Sequence, residues 1–215
     1  MSSNCKYKGS QVLLVEGKND CHVIMALCEK YNLKESFGLY ECGGDENLLS
    51  RLDALVEEQD INTIGVVLDT DIPEKIPNLA VRWQQLAGIL STFGYSLPKA
   101  PEAQGTVLET LENHPRIGLW FMPNNHDPGM LEDFLMPLAE TPTLEYAKYC
   151  VTQAEAKNLT RFKPVHRSKA ILHTYLSWQD EPGKPLGQSL TSHALQHDHE
   201  IASSFANWLN RLFNS

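Results

Sequence analysis

The chain has little of what staples a small secreted domain together. Its 215 residues include five cysteines, at positions 5, 21, 28, 42 and 150, an odd number without a C-x-x-C pair. That argues against both a disulfide framework and a zinc ribbon. No apolar run approaches the roughly 20 residues that a bilayer span requires, so no integral membrane protein is expected. The opening M-S-S-N-C-K-Y-K has no apolar stretch behind its basic residues, as a secretory leader would. Basic residues are also scarce, 18 against 27 acidic, for a net charge of −9 and a pI near 5.3. A protein that coats nucleic acid by bulk attraction would be basic. If this one touches nucleic acid, it must use a local basic patch or cations bridging phosphate to carboxylates. Glycine (13) and proline (12) are too few for a collagen-like or low-complexity chain, and no repeat at a fixed period is present. With free cysteines and no leader, the expected compartment is the cytoplasm.

What is present is a globular composition, 42% hydrophobic and 21% charged, at a length that suits one domain or one domain with an appended subdomain. Q-V-L-L-V-E (11–16), residues 37–42, I-N-T-I-G-V-V-L (61–68) and I-G-L-W-F-M (117–122) are short apolar runs that read as buried strands. Weaker strand signals lie around Tyr95 and Val107. Between them, apolar residues at helical spacing predict helices over 20–31, over a segment capped by Asp45, and over 78–90. Cys21 and Cys28 fall seven apart on the first of these and read as buried free thiols. Strands alternating with helices predict an α/β fold, a mostly parallel sheet covered on both faces. After Pro123 the character changes. Asp127-Pro128 reads as the start of a helix carrying Leu131, Phe134, Leu135 and Leu138. Further helices are expected at about 142–158, 168–178 and 198–213. The division expected is an α/β core over 1–140 and a helical extension over 141–215, packed as one compact unit.

Ligands of open α/β sheets bind beyond the carboxyl ends of the strands, and two acidic groups stand there. Glu16 closes the first strand; Asp69 and Asp71 follow the strand 61–68. Residues two apart in extended backbone point to one side. If the strands of Glu16 and Asp69 are neighbours, about 5 Å apart, three carboxylates converge. Such a cluster is unfavourable unless protonated or neutralised by a cation. An all-oxygen donor set suits Mg²⁺, with Mn²⁺ as the alternative. Aspartates after a strand are also common turn formers.

V-E-G-K-N-D at 15–20 followed by V-V-L-D-T-D at 66–71 resembles a TOPRIM domain, the Rossmann-like metal-binding module of topoisomerases, primases and OLD-family nucleases. The stretches M-P-N-N-H-D-P-G-M-L-E-D-F-L (122–135) and S-K-A-I-L-H-T-Y-L-S-W-Q-D-E-P-G-K-P-L-G (168–187) are similar to a small group of stand-alone TOPRIM proteins related to those nucleases. The resemblance spans nearly the whole chain. It implies a metal-dependent nuclease acting on DNA or RNA, with Glu16, Asp69 and Asp71 holding one ion. Glu16 alternatively acts as a general base. It also implies a second site using Asp20, otherwise a helix cap, and Glu132, otherwise an ordinary first-turn acid favoured by the helix dipole. Asp133 is expected to be solvated. Lys169 matches a lysine that those nucleases keep near the metals.

The stretch 157–179 holds Lys157, Arg161, Lys163, Arg167 and Lys169 without an acid, interleaved with Phe162, Tyr175 and Trp178. It reads as a phosphate-facing surface, with Arg161, Lys163, Arg167 and Lys169 its candidate contacts, or as a solvated helix face with the aromatics in the core. Asn124, Asn125 and His126 read as loop-shaping residues at the same mouth. His193, His197 and His199 could mark a zinc site, but a polar, solvated segment is the expected reading. No G-x-x-x-x-G-K-[S/T] is present, so no P-loop ATPase is expected within the chain. The other reading is therefore a non-catalytic metal- or partner-binding module working with a separately encoded ATPase. A homo-oligomer is compatible with either.

Overall fold

A computed structural model describes residues 9–70 and 78–214. Five strands form one sheet in the order β2-β1-β3-β5-β4: β1 (Gln11–Val15), β2 (Gly38–Glu41), β3 (Thr63–Asp69), β4 (Thr106–Leu108) and β5 (Arg116–Met122). All neighbours are parallel except β4, which runs antiparallel to β5. Residues near Tyr95 are not a strand. Tyr95 is instead buried, with its hydroxyl donating to the Pro115 carbonyl.

Alternation along the strands sorts their side chains onto two faces. Val12, Leu14, Ile64, Val66, Leu68, Ile117, Leu119 and Phe121 pack on α2 (Asp45–Val56) and α3 (Leu79–Thr92). Leu13, Val15, Val67, Trp120 and Met122 face α1 (Lys18–Lys30) and α8 (Glu200–Phe213). The fold is a Rossmann-like α/β sheet covered on both faces, as the strand–helix alternation predicts. The second face is continuous with the remaining helices: α4 (Leu131–Leu135), α5 (Thr141–Ala156), α6 (Arg167–Leu176) and α7 (Leu186–Thr191). Cys21 and Cys28 are buried within it.

Gly65 and Gly118 stand opposite one another on β3 and β5. A Cβ at Gly118 would come within 2.2 Å of Leu212, and one at Gly65 within 3.1 Å of the same residue. Together they leave a trough on the sheet in which the end of α8 lies. Among the described residues no helix is long and apolar enough to cross a membrane.

Two helix starts differ from the sequence expectation. Asp45 is the first residue of α2 and Gly44 its N-cap. The helix expected from Asp127-Pro128 begins only at Leu131. Asp127 is instead engaged in a loop, with Asn124 and His126 bonded to its carboxylate. Asp133 takes over the capping role, accepting the Met130 N–H at 2.9 Å.

Candidate active site at the carboxyl edge of the sheet

The chain runs from β1 outward to β2, then returns across β1 to β3, so the order reverses between β1 and β3. In open α/β sheets that crevice is where ligands bind. Glu16 and Asp69 stand at its mouth. The register pairs Leu14 with Val66, which sets Glu16 beside the last turn of β3, and the Asp69 N–H donates to Glu16 Oε1 at 2.8 Å. The Glu16 carbonyl is held as well, accepting from Gly43 N at 2.9 Å and Gly44 N at 3.0 Å. That close double approach uses positive φ at both glycines, 76° and 130°. Asp71 lies outside the described residues.

Asp20 sits in the first turn of α1 and accepts the Gly17 N–H at 3.1 Å. It is thus a cap, one of its two expected roles. Its carboxyl also lies in the field of Glu16, Glu132 and Lys169. Glu132, on α4, is 2% exposed, with Lys169 Nζ 3.8 Å from its Oε1. It is therefore a buried acid in the first turn of α4 under a half-exposed lysine. Asp133, expected in solvent, is bonded to Ser168 Oγ at 2.7 Å as well as to Met130, and so ties α4 to the start of α6.

Burial dominates the electrostatics. It pushes the Glu16 carboxyl from the ordinary 4.5 up to about 7, against the opposing Asp69 N–H. It pushes Asp20 from 3.8 up to about 6, with Glu132 adding to the rise and Lys169 opposing it. Glu132 is raised too, again by burial, with Lys169 opposing. These carboxyls resist ionisation near neutrality unless positive charge arrives.

The sign for stability follows from linkage. Groups with raised folded-state values bind protons more tightly folded than unfolded, so their contribution is full below about 4 and is lost as pH rises through about 6 to 7. In EDTA the melting temperature is expected to fall between pH 5 and pH 8, by about 2–4 °C per kcal/mol in a protein of this size. Asp45, held below the carboxylate range by its hydrogen bond from Arg82, titrates at lower pH, outside that window. Differential scanning fluorimetry measures the trend. A melting temperature that is flat or rises across the interval would contradict the burial of these acids.

Three residues of the site are not among the candidates that the sequence motifs offer. Arg82, in the first turn of α3, is 3% exposed, donates to Asp45 and lowers the Glu16 value. Its one signal in sequence is a charge in the otherwise apolar run L-A-V-R-W. Asp45 begins α2 beside it. Thr70, the central residue of D-T-D, is fully buried. Its hydroxyl donates to the Met122 carbonyl at 2.9 Å and accepts from Gly129 N at 2.7 Å, while its own N–H donates to the Gly129 carbonyl at 2.9 Å. It ties the end of β3 to the loop leading into α4, and so sets Asp69 relative to Glu132.

The other candidates divide. Asn124 and Asn125 do shape the loop, accepting backbone N–H groups from Asp127 and Phe121 at 2.8 and 2.7 Å. Arg167 is a brace between helices, its Nε bonded to both Glu155 oxygens at 3.1 and 3.0 Å. Arg161 and Lys163 are exposed in the connection before α6. Tyr175 is core and Trp178 is not. His193 and His197 do not share a helical turn, since no helix covers them; His199 caps α8 through Ile201 N. Among the described residues no group of three or more His, Cys, Asp or Glu side chains is placed to hold a metal ion.

A family model described as "Protein of unknown function (DUF3226)" matches residues 10–214. No curated protein and no solved structure matches.

Proposed function

We propose that this chain, a member of the DUF3226 family over residues 10–214, carries out divalent-cation-dependent phosphoryl transfer on nucleic acid. In its simplest form it is a nuclease that hydrolyses DNA or RNA phosphodiesters. The observation that supports this most is the set of acids at the β1/β3 crevice, where Glu16 and Asp20 are pushed to about 7 and about 6 by burial. Buried carboxylates of raised pKa gathered in a cleft are a mark of functional sites. The TOPRIM-like motifs of the sequence fall on the same residues.

The donor set fits a hard cation in its chemistry, being oxygen throughout. Glu16, Asp69 and Asp71 would hold one Mg²⁺ or Mn²⁺, with Asp20 and Glu132 serving a second. When bound, such an ion supplies an activated water and offsets charge on the phosphate oxygens. The chain's own groups do the rest. Glu16, near 7, is matched to accept a proton at neutral pH, and the Asp69 N–H fixes its Oε1. Lys169 places an ammonium beside Glu132 at the rim, where it counters the charge that develops on the phosphoryl oxygens. Thr70 keeps the two acidic groups in register.

The test is cleavage of labelled single- and double-stranded DNA and RNA in Mg²⁺ or Mn²⁺, with the Asp69→Asn protein alongside. The wild-type chain is expected to cut, and the variant to lose at least about 100-fold of that rate. Equal background from both proteins would overturn the enzymatic reading and leave the non-catalytic module paired with a separate ATPase.

A further inference from the structure

Five large apolar or aromatic side chains stand exposed among the described residues: Met25, Tyr146, Tyr149, Leu159 and Trp178. Three of them touch. Tyr146 stacks on Tyr149 with ring centres 5.8 Å apart and meets Trp178 at the same distance, tilted by 42°. The two tyrosines lie on α5, on the side away from its buried Leu144, Ala147 and Val151. Trp178 follows the end of α6. The rings are 60%, 55% and 44% exposed, a large solvent-facing aromatic surface for a chain with four tryptophans and seven tyrosines.

The segment that carries this cluster has a charge opposite to the molecule's. Residues 141–184, which include Trp178, contain seven lysines and arginines against four acids, in a chain of net charge −9. Three of the acids are paired, Glu145 with Lys148 at 2.8 Å, Glu155 with Arg167 at 3.0 Å and Glu181 with Lys184 at 3.1 Å; the fourth, Asp180, lies two residues past Trp178. Lys157, Arg161 and Lys163 are left exposed at the end of α5 and in the connection to α6. Exposed rings with surplus cations beyond the far end of the same helix suit a flexible polyanion with free base faces: bases stack on the aromatics and phosphates meet the cations. A duplex satisfies the cations but hides its base faces. A second protein surface would use the rings but would gain little from the cations.

We propose that the outer surface of α5, with Trp178, is a stacking platform for single-stranded nucleic acid. This deepens the nuclease reading and rests on it for the class of substrate. The platform is joined to the acidic rim by α6: Lys169 in its first turn faces Glu132, and Trp178 lies two residues past its end, about 13 Å further along the helical rise. A strand stacked on the rings is carried across that helix toward the carboxylates.

Intrinsic fluorescence tests the platform in EDTA, where no cleavage complicates the binding. Trp83, Trp120 and Trp208 are buried, at 6%, 1% and 0% exposure, so quenching by a base reports Trp178. Oligo(dT) and oligo(U) are the probes, with a hairpin duplex as the comparison. Both or one of the oligomers is expected to quench, and Tyr146→Ala/Tyr149→Ala to weaken that binding by at least about tenfold, with duplex binding and the melting curve unchanged. Absence of quenching, or equal affinity in the variant, would overturn the platform. So would a dimer, seen by sedimentation, that the same substitutions dissociate, because the rings would then be a self-association surface. Binding and quenching without cleavage in Mg²⁺ sinks the nuclease reading alone; cleavage of single strands unaffected by the substitutions sinks the platform alone.

Discussion

Glu16→Gln is expected to raise the stability of the metal-free protein at pH 8 while removing the proposed nuclease activity. The two effects share a cause. Glu16 accepts the Asp69 N–H through Oε1, and glutamine keeps an acceptor oxygen at that point. What glutamine lacks is the charge that burial opposes and that pushes the carboxyl up to about 7. Above that pH the wild-type protein holds an ionised group in an unfavourable place, and the variant does not. The melting temperature in EDTA at pH 8 should therefore rise, and the gap between the two proteins should close by about pH 5. The same substitution removes a carboxylate from the proposed ion-binding set and a group able to take a proton near neutrality, so cleavage should fall about 10²–10⁴-fold. Opposed changes are the signature of a site that is strained for function. A variant that melts lower and cuts as well as the wild type would mean that Glu16 is a structural acid.

Trp208→Ala should cost about 3–5 kcal/mol, the usual loss for removing a large aromatic from a core. Trp208 is completely buried on α8. Its ring lies 5.6 Å from that of Trp120 on β5 and 5.5 Å from that of Phe205. It also fills the space over Gly105, where a Cβ would approach to 2.3 Å. The cavity left by alanine would thus open between the sheet and its covering helix, where neither side can collapse without moving the other. In urea the midpoint should drop with the slope unchanged, as one cooperative unit requires. Two separate transitions, with the sheet unfolding at its original midpoint, would show that α8 is not integral to the core that the packing describes.

The three central strands, β1, β3 and β5, were legible because each is a mostly apolar run. I-G-V-V-L and I-G-L-W-F-M could hardly sit anywhere except the middle of a sheet covered on both faces. The longer helices followed from their apolar spacing, and their ends differ from expectation by a residue or two. The short elements were not legible. The Asp127-Pro128 pair has the local chemistry of a helix start, but its carboxylate is taken by Asn124 and His126, and the cap passes to Asp133. Periodicity also missed α7, six residues long, which is placed by tertiary packing: Gly187 lies so close to α1 that a Cβ would meet the His22 carbonyl at 2.4 Å.

The site divides along the same line. Glu16 and Asp69 were readable as neighbours because strand ends and strand adjacency place them. Nothing local announced that Glu132 is buried, that Arg82 stands behind Glu16, or that Thr70 rivets two loops together. Each of those depends on a contact with a residue far away in the chain. Asp71, the remaining acid of the D-x-D pattern, lies outside the described residues.

The facing glycines of β3 and β5 bear on any attempt to redesign this molecule. Because Leu212 occupies the volume that a methyl group at 118 would need, the strand pair and the helix above it cannot be varied independently. Enlarging one partner demands trimming the other, so libraries built on single replacements along this seam will return mostly misfolded clones. Paired changes are the workable route.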